Sequence, residues 1–92
     1  MPAPARVDSN QRIIVEGLRS AGYSVWITSA LGKGAPDLVV GKGGCNWLIE
    51  LKDGSLPPSK RKLTIDETCW HLQWRGQVDV ANTLEEALEI CR

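Results

Sequence analysis

Gln11, Ile14, Val15 and Leu18 fall at i, i+3, i+4 and i+7, which predicts one apolar face of a helix. Asp8 or Ser9 can cap its start, and Gly22 ends it after about Ala21. The chain then changes period. Residues 23–29, "YSVWITS", carry the β-branched and aromatic content of a strand, and 30–34, "ALGKG", form a turn. A second strand is expected over 36–41, "PDLVVG", a hairpin turn over "KGGC", and a third strand over 46–52, "NWLIELK". Two prolines in "DGSLPPSKRK" forbid a helix or a central strand, so this stretch is a loop. A second helix is expected from Thr64 to Trp74, with Glu67 three residues after Thr64 at capping-box spacing. "QVDVA" (77–81) reads as a fourth strand, and 83–91 as a last short helix with the same S/T-x-x-E start.

The predicted order is α-β-β-β-α-β-α, an α/β domain with one small mixed sheet flanked by helices. The crossover through the second helix should bring the fourth strand in parallel to the third. Ninety-two residues make a single domain over 1–92, with "MPAPARV" a frayed lead-in. The lead-in lacks the apolar run of a signal peptide, and no segment is long enough to span a membrane. A cytoplasmic protein with no membrane partner is therefore expected. Its three cysteines, Cys45, Cys69 and Cys91, form no C-x-x-C pair and read as reduced, structural thiols. Net charge is zero, so affinity for a polyanion must come from local clusters rather than from a global field.

The third strand holds the chemistry. Side chains alternate along a strand, so Glu50 and Lys52 share a face, about 7 Å apart at the backbone. The hairpin can set Asp37, just after Pro36, beside the end where Glu50 lies. Two carboxylates on one spot repel unless a cation sits between them. Mg2+ or Mn2+ suits them, since such ions take one or two carboxylates and leave other positions to water and phosphate. Lys52 beside a scissile phosphate can stabilise developing charge or help to deprotonate the attacking water. Without Asp37, Glu50 and Lys52 would read simply as charges blunting a sheet edge.

Three further features have competing explanations. Gly32, Gly34, Gly41, Gly43 and Gly44 read as turn residues, because no G-K-[ST] and no following helix make a phosphate loop; Lys33 in the flexible "LGKG" can still reach a phosphate. Lys60, Arg61 and Lys62 form either a solvated loop or a contact with the phosphate backbone. The second helix is apolar over a broad arc, with Trp70 and Trp74 beside Ile65, Cys69 and Leu72; core packing and a subunit interface both explain it.

The runs "GKGAPDLVVG", "LIELKDGSLPPSKRKLT" and "HLQWRG" occur in that order over most of the chain. With them the chain resembles the virus-type replication-repair nuclease (VRR-NUC) family of the PD-(D/E)XK superfamily, in its short stand-alone phage or prophage form. The resemblance implies a restriction-endonuclease-like core and metal-dependent hydrolysis of DNA phosphodiesters, on branched junctions or flaps, often by a homodimer. It implies Asp37 and Glu50 as metal ligands with the Leu51 carbonyl as a third, and Lys52 as the catalytic lysine. One departure stands out. The family commonly has a glutamine where "LTIDET" puts Thr68, a shorter group that would leave a contact to Lys52 or substrate missing or water-bridged. Relatives also offer an acid from the first helix, for which Asp8 and Gln11 are the candidates here. The rival expectations are a DNA-junction-binding accessory module with weak or lost catalysis, and a structural subunit without a nucleic-acid role.

Overall fold

The computed structural model describes residues 10–92. The capping candidates Asp8 and Ser9 lie outside them. Helix α1 spans Gln11–Ser20 and buries Gln11, Ile14, Val15 and Leu18, the stripe its spacing predicts. The chain then forms β1 (Ser24–Ile27), β2 (Leu38–Lys42) and β3 (Cys45–Leu51). Helix α2 (Ile65–Gln73), β4 (Asp79–Ala81) and α3 (Leu84–Ile90) complete it. Single 3₁₀ turns at Ser29–Leu31 and Pro58–Lys60 punctuate the two long connections.

The four strands order as β1-β2-β3-β4 in one sheet. The first two pairings are antiparallel, and β3 runs parallel to β4. The β2–β3 hairpin closes on Gly43 and Gly44, both at positive φ (59° and 81°) between the paired Lys42 and Cys45. Glycine takes both positions without steric cost, so this turn sets the register that brings Leu38 opposite Ile49.

Alternation sends Leu38, Val40, Trp47, Ile49, Leu51 and Ala81 to one face, where they meet Ile14, Val15, Leu18, Ala87 and Cys91 of α1 and α3. Tyr23, Val25, Leu84, Leu88 and Ile90, partly buried, pack against this cluster. Glu50 lies on the opposite face, between Ile49 and Leu51 in sequence.

Several element ends differ from expectation. The first strand omits Tyr23, Thr28 and Ser29: the Tyr23 hydroxyl donates to the Cys91 carbonyl (2.7 Å), and Thr28 buries its hydroxyl against the Pro36 carbonyl (2.7 Å). The second strand starts after Asp37 and the fourth only at Asp79. The larger difference is α2, which has its Thr64–Glu67 capping box but no buried residue. Ile65 is 82% exposed and Leu72 79%, so core packing does not account for its apolar arc. No helix among the described residues is long and apolar enough to cross a membrane.

Candidate active site

Pro36 is buried, and the backbone around it is pinned from β1: the Thr28 amide donates to the Asp37 carbonyl at 2.7 Å, beside the Thr28 hydroxyl bond to Pro36. This delivers the Asp37 side chain to β3, where its Oδ2 accepts the Leu51 amide at 2.8 Å. Leu51 thus serves the site through its backbone while its side chain fills the core. The end of β3 is fixed from two further directions. The Lys52 amide donates to the Ala81 carbonyl (3.0 Å), and Asn10 Nδ2 donates to the Lys52 and Asn82 carbonyls (2.8 and 3.0 Å).

Asp37, Glu50 and Lys52 line one cavity of about 480 Å³, together with Leu56, Lys60, Lys62, Thr64 and Glu67. Glu50 is 2% exposed, and its Oε1 meets no hydrogen-bond donor among the described residues. Burial first, then the charge of Asp37, then contact with Glu67, push its pKa from the ordinary 4.5 up to about 10. Glu50 is therefore the protonated member of the group at neutral pH when no cation is present. Lys52 Nζ stands 3.7 Å from Glu50 Oε2 but only 2.7 Å from Glu67 Oε1. Burial would raise the Glu67 pKa as well, yet hydrogen bonds from Lys52 and from the Thr64 amide outweigh it and hold the group below its usual value.

No match to this chain is found among protein-family models, curated proteins or solved structures. What the site can do therefore rests on its own residues.

Among the described residues, no three or more His, Cys, Asp and Glu side chains are arranged to cage a metal ion. A hard divalent cation does not need such a cage, since Mg2+ keeps several waters and uses one or two carboxylates. The buried, donorless Glu50 Oε1 beside the Asp37 carboxylate fits that requirement. A cation there would take the place of the proton that burial and the Asp37 charge keep on Glu50.

The other candidate residues divide. Lys60 and Lys62 line the cavity; Arg61 does not, and its buried Nε has no hydrogen-bond partner among the described residues. Lys33 is exposed at positive φ (54°) and outside the cavity lining. Gln11 is buried and donates to Ser29 Oγ at 3.4 Å, also away from that lining. Thr68 is exposed and does not line the cavity either. The polar contact to Lys52 comes instead from Glu67, one position earlier. Asp8 falls outside the described residues. In the sequence only its capping-box spacing marks Glu67, and no local pattern marks Asn10 or Thr28.

Proposed function

We propose that this chain is a divalent-metal-dependent nuclease that hydrolyses DNA phosphodiester bonds, with the PD-(D/E)XK core of the VRR-NUC family that its sequence resembles. One observation carries the reading: Asp37 and a buried, donorless Glu50 crowd together in a cavity whose walls also bring Lys52, Lys60 and Lys62. Two carboxyls packed this way repel as anions unless one keeps its proton or a cation lies between them.

Asp37 and Glu50 would hold Mg2+ or Mn2+, with the Leu51 carbonyl as a third protein ligand by resemblance. When bound, such an ion neutralises charge on the reacting phosphate and acidifies the attacking water. Lys52 Nζ, held 2.7 Å from the Glu67 carboxylate in the same cavity, is placed to stabilise growing phosphate charge. Lys60 and Lys62 take up neighbouring backbone phosphates, the local cluster that a chain of zero net charge requires. Branched junctions and flaps are the substrates the resemblance suggests.

A homodimer forms part of the same reading. Ile65 and Leu72 on α2 and Trp74 just after it stay exposed, as does Trp26 on the sheet face opposite the core, and apolar and aromatic surface of this kind is what subunit interfaces are made of. Two copies would set two cavities against opposing strands.

The rival reading, a junction-binding module with weak or lost catalysis, drew its motive from the short Thr68 side chain. Glu67 supplies a contact to Lys52 at 2.7 Å, which weakens that motive. The deciding experiment incubates the protein with four-way, flap and linear DNA, in Mg2+ or Mn2+ and in EDTA. Cleavage that needs the metal supports the nuclease; junction binding that survives EDTA with no strand cut supports the accessory module.

A further inference from the structure

Lys52 ends in four methylenes, and such a stem leaves its charge free to wander unless an acceptor holds it. Glu50 is not that acceptor: the contact is 3.7 Å, too long for a hydrogen bond. Glu67 Oε1 lies 2.7 Å from Nζ, and the same oxygen accepts the Thr64 amide at 2.8 Å. The two side chains are only 12% and 17% exposed, so water competes weakly for either charge. The acceptor itself is braced. The Asp66 carbonyl and Glu67 amide of the first turn of α2 press against Gly34 (φ 84°), three residues before Asp37.

We infer that Glu67 is a positioning residue, whose carboxylate holds the Lys52 ammonium in the cavity through the oxygen that also closes the cap of α2. The capping box alone would explain a glutamate here, since Glu and Gln both serve at that position. The two roles separate chemically. Glutamine keeps an oxygen for the Thr64 amide but presents no charge to Lys52, whereas Thr64→Ala removes the hydroxyl half of the box and leaves the carboxylate on Lys52. The inference rests on the nuclease reading for what Lys52 does, though not for where it is held.

The test therefore has two arms. In ¹⁵N-lysine-labelled protein at low temperature, the Lys52 ammonium, identified by its loss in Lys52→Arg, should give a resolved NMR signal. That signal should broaden and exchange faster with water in Glu67→Gln and keep its behaviour in Thr64→Ala, with circular dichroism showing both variants folded. No signal in the unaltered chain, or one whose exchange is unchanged in Glu67→Gln, overturns the inference. In the second arm, metal-dependent DNA cleavage by Glu67→Gln should fall about tenfold in kcat, the scale of one lost charge-assisted hydrogen bond. KM should stay level or drop, because a negative charge leaves the path of the DNA. An unchanged kcat in Glu67→Gln also overturns the role. Absence of cleavage by the unaltered chain counts against the nuclease reading instead, and the NMR arm then decides on Glu67 alone.

Discussion

Glu67 Oε1 accepts a hydrogen bond from Lys52 Nζ at 2.7 Å, tying the first turn of a helix that buries none of its residues to the end of an inner strand. Polar contact, not apolar burial, sets α2 against the sheet at this point. The same contact fixes the charge that the proposed chemistry needs.

Lys52→Ala should therefore do two things. It removes the ammonium from the reacting phosphate, for a loss of about 100- to 1,000-fold in single-turnover cleavage, the range for deleting one transition-state charge donor. It also leaves Glu67 half-buried without its cation, which should cost about 1–3 kcal/mol in a urea titration. A variant that cleaves like the unaltered protein ends the role given to Lys52.

Glu50→Gln should stabilise the metal-free protein at alkaline pH. The folded pKa of Glu50, about 10, lies above its unfolded value of 4.5. Its contribution to stability is thus fully present below pH 4.5 and is lost as pH rises from there through 10. Glutamine carries no proton to lose, so the variant should exceed the unaltered chain clearly at pH 9 and by little at pH 5. Urea midpoints at the two pH values measure the difference, and equal gaps at both would be inconsistent with a buried acid.

On the proposed metal site, a divalent ion has to displace the Glu50 proton, so binding should strengthen with pH and release about one proton per ion near neutrality. Mn2+ should raise the melting temperature by several degrees at pH 8.5 and by less at pH 6, and EDTA should reverse both shifts. Titration calorimetry in two buffers of different ionisation heat counts the protons. Glu50→Gln should abolish the Mn2+ shift.

Gly34→Ala should loosen the site from outside it. A Cβ there would run into the Asp66 carbonyl, and φ of 84° is strained for any side chain. The expected loss is about 2 kcal/mol or more, with the first turn of α2 displaced. Denaturant unfolding gives the stability, and faster water exchange of the Lys52 ammonium NMR signal reports the displacement.

Ile65→Lys with Leu72→Glu should leave stability within about 0.5 kcal/mol, since both side chains are exposed in the single chain. If a second copy covers α2, light scattering will give twice the chain mass for the unaltered protein and the single mass for the double variant. A single mass for the unaltered protein at micromolar concentration removes the dimer.

Much of the scaffold was legible because it rests on local rules. The buried face of α1 follows from 3.6-residue spacing, the β2–β3 turn from its paired glycines, and the starts of α2 and α3 from Thr64 and Thr83 with acids three residues on. Strand ends were less legible. Tyr23 and Thr28 have strand-like side chains, but their hydroxyls are claimed by the carbonyls of Cys91 and Pro36, partners far from them or across a loop. The exposure of α2 was hidden for a related reason: an apolar arc looks the same in sequence whether a sheet, a second copy or water faces it.

The sequence by itself determined the α/β order of elements, the face of β3 that carries Glu50 and Lys52, and the hairpin that returns Asp37 towards them. Each follows from periodicity or from backbone freedom at a few residues. Tertiary structure alone decided that Glu67, and not Thr68, reaches Lys52. It alone decided that Asn10 ties the start of α1 to the Lys52 and Asn82 carbonyls, and that Glu50 is desolvated enough to keep its proton. These depend on packing between segments distant along the chain, and burial, which sets both hydrogen-bond partners and the cost of charge, is a property of the assembled fold.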